Sequence, residues 1–156
     1  MTVTKIQEAL KRANVDFDLI EHRRTQTAGD EARAVGVSAD EVAKTIVLAS
    51  GDAFVRAVIP ASMRLDLHKV HEVLGDDHAR LAGEDELVFA YPMYELGAVP
   101  PFGGPGGDRV LIDRRLADRV FVVLEAGTHR ESIWLRTVDL LELTHAEVVD
   151  LVAEED

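Results

Sequence analysis

The stretch LGAVPPFGGPGG, residues Leu96 to Gly107, constrains the fold of this chain more than any other segment. It places five glycines and three prolines in twelve positions, which excludes a regular helix or a central strand there. Proline fixes the backbone at Pro100, Pro101 and Pro105, while glycine permits sharp turns and close approach to a ligand. A mobile connector needs only the glycines, so the added Pro-Pro-Phe102 segment predicts a rigid, shaped entrance.

The loop does not match the common phosphate-binding patterns. A P-loop requires Lys and then Ser or Thr after its last glycine, whereas Gly107 is followed by Asp108 and Arg109. A dinucleotide site requires a helix opening at the third glycine, but residues 109–112 have the pattern of a strand. A rigid loop can instead bring backbone N–H groups close to a ligand and act as an oxyanion hole, which suits an acyl substrate.

Length and charge narrow the class of protein. With 156 residues, 47% of them apolar, the chain is expected to form a single domain over residues 1–156. Its net charge of −12 argues against DNA or nonspecific nucleic-acid binding, although a local basic patch could hold one end of an RNA. Neither a signal peptide nor an apolar run of membrane-spanning length is present, so we expect a soluble, cytoplasmic protein without a membrane partner.

Few side chains are candidates for chemistry. Cysteine is absent and no serine has a G-x-S-x-G frame, which argues against thiol and serine nucleophiles. Three histidines near residues 68–78 lack partners at metal-ligand spacing, so the sequence predicts no metal and no cofactor. His129 lies in a glycine-containing turn before a strand, where a functional histidine is more plausible. Lys44 stands between apolar residues, a position typical of a lysine whose ammonium meets a phosphate or carbonyl.

Capping and periodicity predict helices and strands in an irregular order. Helices are predicted at 4–13, 28–35, 67–74, 84–89 and 144–152, with a single helical turn after Ser38. Strands are predicted at 15–22, 45–48, 54–59, 110–113, 120–124 and 133–136. Because the two do not alternate regularly, the pattern favours a mixed α/β or α+β fold, with a mixed sheet flanked by helices, over a doubly wound sheet.

Four segments together resemble a known family. These are EVAKTIVL at 41–48, a G-x-x-x-P loop at 97–101 running into Phe102-Gly103, VLID at 110–113, and AGTHRESIWLRTVDL at 126–140. Their order and spacing resemble the free-standing aminoacyl-tRNA deacylases of the YbaK type, which are related to the inserted editing domain of bacterial prolyl-tRNA synthetases. The resemblance spans nearly the whole chain and implies an enzyme that hydrolyses the ester of wrongly charged tRNA, with Cys-tRNA(Pro) and Ala-tRNA(Pro) as candidate substrates.

The resemblance also implies a set of site residues and partners. Lys44 and Gly97 would be the catalytic positions, with Lys44 at the terminal nucleotide or phosphate and the backbone around Gly97 at the aminoacyl carbonyl. The expected substrate-binding residues are Thr45, Pro101, Phe102, His129, Ser132 and Asp139. The implied partner is a tRNA acceptor end, which an acidic protein would hold if Arg23, Arg24, Lys44, Arg64 and Arg130 gather at one mouth, or which a synthetase would supply.

Two alternatives stay open at the level of sequence. A relative without turnover would use the same pocket only to bind a tRNA end or a synthetase. A small-molecule hydrolase would use the same oxyanion loop on a simpler ester.

Overall fold

A computed structural model describes residues 2–103 and 108–154 of the chain. Its helices are α1 (Thr2–Arg12), α2 (Ala28–Val35), α3 (Leu67–Leu74), α4 (Glu84–Ala90), α5 (Arg114–Ala117) and α6 (Thr137–Thr144). Its strands are β1 (Phe17–Glu21), β2 (Ala43–Ser50), β3 (Ala53–Pro60), β4 (Arg80–Leu81), β5 (Arg109–Asp113), β6 (Phe121–Glu125), β7 (Glu131–Arg136) and β8 (Glu147–Val149). A 3-10 turn, Ala39–Glu41, precedes β2. The part of the glycine-rich loop at residues 104–107 lies outside the described residues.

The strands form two sheets. The larger is mixed, in the order β4-β2-β3-β5-β8, with β2 antiparallel to β3 and β4, and with β3, β5 and β8 parallel. The smaller is antiparallel, in the order β1-β7-β6. A parallel bridge between Val42 and Val123 joins the start of β2 to β6. The predicted mixed sheet with flanking helices is therefore confirmed, and a second sheet accompanies it.

Alternation along the central strands divides the core. Val58 and Ile112 face one cluster, which α1 and the smaller sheet complete, while Ala57 and Leu111 face another cluster beneath α3. These four side chains are at most 1% exposed, because neighbouring residues of a strand point to opposite faces and both faces here are covered. The apolar runs that predicted β3 and β5 are thus explained by burial on both sides.

Local signals placed several ends correctly. The Thr27 hydroxyl accepts the Asp30 N–H at 3.0 Å to cap α2, and Gly36 closes that helix with φ +86°. The β2–β3 hairpin turns at Gly51, as the Ser-Gly-Asp sequence predicts. By contrast, α1 begins at Thr2, so Thr4 lies inside the helix rather than capping it.

The predicted final helix at 144–152 is wrong. Helix α6 lies before it, and the segment after it forms β8, which pairs in parallel with β5. The Thr144 hydroxyl donates back to Leu140 O at 2.8 Å instead of capping a following helix, and His145 ends α6 in the left-handed region at φ +52°. The β-branched pair Val148-Val149 then satisfies its backbone at the open sheet edge, a partner that local sequence does not reveal.

Candidate functional site

The G-x-x-x-P segment begins with a tight turn at Gly97. The Ala98 N–H donates to Glu95 O at 3.0 Å, and Gly97 occupies the third position of this turn with φ +82°. That position and sign of φ are typical of a type II turn, in which glycine is strongly favoured. A Cβ on Gly97 would also lie 3.4 Å from His129 Cε1, tighter than most contacts of that kind. Both the backbone and the space below therefore require glycine.

His129 supports the turn from below. The residue is almost buried, at 8% exposure, and its Nε2–H donates to Leu96 O at 2.5 Å. The described chain has no cis peptide bonds, so the N–H of the Leu96–Gly97 peptide points away from that carbonyl and from His129. Within residues 2–103 and 108–154, no protein group accepts the Gly97 N–H. The turn thus presents a fixed and unpaired backbone donor.

A cavity of about 270 Å³ opens beside this turn. It is formed where the beginning of α2, the beginning of β2, the Gly97 turn and the end of β6 meet. The lining residues are Gln26, Thr27, Ala28, Ala43, Lys44, Thr45, Gly97, Val99 and Glu125. Lys44 is exposed at its rim and Glu125 is largely buried, so the cavity carries one cationic and one carboxyl side chain.

Glu125 and His129 form a close pair at this cavity. Glu125 Oε2 lies 2.9 Å from His129 Nδ1, and both side chains are 11% exposed. Burial, together with the charge of Glu95, raises the pKa of Glu125 to about 8. His129 Nε2–H donates to Leu96 O, whereas His129 Nδ1 and Glu125 Oε2 have no hydrogen-bond partner among the described residues, so these two atoms are in close contact without a hydrogen bond.

A second buried carboxyl lies in α2, one turn beyond the cavity lining. Glu31 is fully buried, and its Oε2 is 2.5 Å from Ser132 Oγ, which in turn is 2.8 Å from His22 Nε2. Burial raises the pKa of Glu31 to about 8, the nearby Glu125 adds to the rise, and the Ser132 hydrogen bond opposes it. The Ser132 hydroxyl donates to Glu31 Oε2 and lies within hydrogen-bond distance of His22 Nε2, while His22 Nδ1–H donates to Arg23 O at 2.7 Å.

Backbone pairing ties the segment before α2 to the His129 turn. The His22 N–H donates to Arg130 O and the Thr25 N–H donates to His129 O, each at 2.9 Å. These bonds place the beginning of α2 next to the support of the Gly97 turn. The Glu31–Ser132–His22 chain reinforces the same contact through side chains.

Arg56, in the middle of β3, fixes the far end of the loop. It is 2% exposed, and its guanidinium donates to Pro100 O at 2.8 Å and to Gly103 O at 2.6 Å. It also pairs with Asp108 at 3.2 Å and lies 4.8 Å from the centre of the Tyr91 ring. Because the prolines have no N–H to build a turn of their own, the planar fork of Arg56 supplies the donors that hold this backbone.

The structure brings together some of the predicted site residues and separates others. Lys44, Thr45 and Gly97 line one cavity, and His129 lies directly beneath Gly97. The remaining four do not line it. Pro101 and Phe102 are buried beside Arg56 at a different cavity, Ser132 is fully buried against Glu31, and Asp139 pairs with Arg136 at 3.2 Å on α6.

Three buried charged or titratable side chains were missed by sequence reasoning: Glu31, Arg56 and Glu125. Arg56 carried a signal, since it is the single charge in an otherwise apolar strand, where an unpaired arginine would be costly. Glu125 and Glu31 had no comparable signal. Only the packing of β6, β7 and α2 shows that they are enclosed.

Arginines approach the cavity from the paired segments around it. Arg23 pairs with Asp30 at 2.8 Å and Arg24 with Glu95 at 3.2 Å, while the Arg130 backbone is bonded to His22. The Arg64 carbonyl accepts the Ala153 N–H near the end of the described chain. The expected gathering of these arginines with Lys44 at one mouth stays a prediction.

Comparisons with known proteins agree on one family and fold. Residues 22–143 match the family described as the aminoacyl-tRNA editing domain. A crystal structure described as a candidate trans-editing enzyme for prolyl-tRNA synthetase is similar, with 26% identity and a TM-score of 0.89 over 98% of each chain. A hypothetical protein has 28% identity and a TM-score of 0.87, over 96% of this chain and 99% of its own. No curated protein sequence matches at a significant level.

Two further properties concern the described residues alone. None of their helices has the length and apolar character needed to cross a membrane. In residues 2–103 and 108–154, no group of three or more metal-ligating side chains is arranged to hold an ion.

Proposed function

Because the chain belongs to the aminoacyl-tRNA editing domain family, we propose that it acts in trans as a deacylase that hydrolyses the ester bond of mischarged tRNA. The observation that carries the proposal is the unpaired Gly97 N–H, held in a rigid turn beside a cavity that Lys44 also lines. The similar structure described as a candidate trans-editing enzyme for prolyl-tRNA synthetase makes Cys-tRNA(Pro) and Ala-tRNA(Pro) the first substrates to test.

The geometry supports a division of labour between these two residues. The Lys44 ammonium at the rim binds a phosphate near the tRNA 3′ end. The Gly97 N–H donates to the ester carbonyl oxygen, where negative charge develops as water adds to the carbonyl carbon. The bond to the ribose oxygen then breaks, and that oxygen takes the proton that the water loses. An aminoacyl ester is already reactive, so positioning and a polarised carbonyl account for much of the acceleration.

Rigidity is the feature that distinguishes this turn from an ordinary surface loop. His129 holds the Leu96 carbonyl on one side of Gly97, and Arg56 holds the Pro100 and Gly103 carbonyls on the other. A donor that is fixed before the substrate arrives needs little reorganisation when charge develops.

The first experiment is single-turnover deacylation of a panel of mischarged tRNAs. The panel contains Cys-tRNA(Pro), Ala-tRNA(Pro) and noncognate tRNAs charged with serine or alanine. We expect rapid release from at least one member by the wild type and a large loss in Lys44→Ala. Lys11→Ala serves as the matched control, because Lys11 is an exposed lysine in the last turn of α1, outside the cavity lining. Release from no member, with tRNA still bound, would indicate a binding module without turnover.

A second pair of variants distinguishes a catalytic role of the Gly97 turn from the general effect of backbone strain at a glycine with positive φ. Gly97→Ala introduces strain at φ +82° and a Cβ 3.4 Å from His129, so we expect a loss of about 100-fold in the deacylation rate. Gly75→Ala introduces strain at φ +65° in the C-cap of α3, with nothing within 4 Å of the new Cβ. Equal rates for the two variants would contradict a role for the Gly97 turn in catalysis.

A further inference from the structure

The cavity beside Gly97 is bipolar. Of its nine lining residues, Lys44 supplies the cation and Glu125 the carboxyl group. Lys44 is exposed at the rim, whereas the Glu125 side chain is only 11% exposed, so the carboxyl group is the more deeply buried of the two. A ligand that matches this arrangement carries an anion outside and a cation within.

One oxygen of the Glu125 carboxyl group is enclosed by the protein. This oxygen, Oε2, lies 2.9 Å from His129 Nδ1, and His129 is itself fixed by its bond to Leu96 O. Because Oε2 is turned inward and the residue lines the cavity, Oε1 is the oxygen left for a ligand.

The surroundings of Glu125 favour the arrival of a cation. The nearby ionisable groups are Glu95 before the Gly97 turn, Glu31 of α2 and His129, and the Arg24 charge is already paired with Glu95. Burial disfavours the ionised form of Glu125 and the charge of Glu95 adds to this effect, so the pKa of Glu125 stands near 8. A bound cation would reverse this balance and stabilise the carboxylate.

The proposed substrate has the required polarity. At its 3′ end a charged tRNA has a phosphate before the terminal nucleoside and, beyond the ester, an α-ammonium group. Provided that the proposed deacylase function holds, we propose that Glu125 binds the α-ammonium group of the aminoacyl ester, while Lys44 takes the phosphate. Glu125 is then a specificity-determining residue, because it restricts the substrates to esters with a free α-amino group.

The direct test compares a mischarged tRNA with the same tRNA after N-acetylation of its aminoacyl group. We expect the wild type to hydrolyse the free-amino ester at least tenfold faster. In Glu125→Gln, which keeps the size of the side chain but removes its charge, we expect the two substrates to react at equal rates. Glu131→Gln is the control, because Glu131 lies at the start of β7, bonds to Thr128 and does not line the cavity. A wild type indifferent to acetylation, or a Glu125→Gln enzyme that keeps the preference, overturns the proposal.

A binding measurement separates this proposal from the deacylase function. The probe is a 3′-aminoacylamino-adenosine 5′-phosphate, in which an amide replaces the ester, with its amine either free or acetylated. Calorimetry at pH 7 in two buffers of different ionisation enthalpy is expected to show tighter binding of the free amine and release of up to about one proton, since Glu125 ionises. Glu125→Gln is expected to lose both effects. Binding without hydrolysis of any tRNA rejects the deacylase function alone, and equal binding of both probes rejects the role of Glu125.

Discussion

Replacing Glu31 with glutamine is expected to change how the stability of the protein depends on pH. Glu31 is fully buried, and its pKa rises from 4.5 in the unfolded chain to about 8 in the folded protein. Between these values the folded state holds one more proton than the unfolded state. Stability is therefore greatest below the unfolded pKa and falls as the pH rises towards the folded pKa.

The size of the effect follows from the shift. One group that is protonated only in the folded state lowers the free energy of unfolding by about 1.4 kcal/mol per pH unit. Between pH 5.5 and 7.5, Glu31 alone accounts for about 2.7 kcal/mol. Glutamine stays neutral and can keep a hydrogen bond to Ser132, so the stability of Glu31→Gln relative to the wild type should rise by this amount between pH 5.5 and 7.5. The pKa of Glu125 is also raised, so the stability of the Glu31→Gln variant still decreases with pH, but less steeply than that of the wild type.

Urea denaturation at pH 5.5, 6.5 and 7.5 measures this difference. The single tryptophan, Trp134, reports unfolding through its fluorescence, because it lies in β7 with its ring 5.4 Å from Phe121. Glu21→Gln is the control for the loss of one negative charge, because Glu21 is exposed in β1. Parallel stability curves for the wild type and Glu31→Gln would refute the argument that buried Glu31 is protonated at neutral pH.

Two further predictions concern arginine pairs. Arg56→Met leaves two loop carbonyls without their donor and Asp108 with only the Tyr91 hydroxyl, so it is expected to lower the free energy of unfolding by about 3 to 5 kcal/mol in urea denaturation. Arg56→Lys is expected to lie between Arg56→Met and the wild type. A decrease in the free energy of unfolding below about 1 kcal/mol would contradict the role of Arg56 in holding the loop. Glu147→Gln breaks a pair with Arg109 in which both side chains are more than 40% exposed, so its expected cost is at most about 1 kcal/mol, and a larger loss would mean that this pair is not solvent-screened.

Local sequence was most informative where a structural element depends on its own residues. Thr27 and Gly36 mark the two ends of α2 because one supplies a cap and the other adopts a positive φ, and neither needs a distant partner. The same reasoning failed for the segment after Thr144, where a capping pattern was outweighed by an open sheet edge provided by β5. Strand β4 and helix α5 were also not predicted, being only two and four residues long.

The candidate site likewise has features that depend on local sequence and features that depend on tertiary structure. The sequence by itself determined the family resemblance, the glycine- and proline-rich loop that contains Gly97, and the position of Lys44 beside an apolar run, because these depend on residue types at fixed local spacing. Only the tertiary structure decided that His129 lies beneath Gly97, that Glu125 and Lys44 line the same cavity, and that Arg56 holds the loop. Burial, pairing and shifted protonation arise between segments far apart in the chain, so no local pattern of residues could specify them.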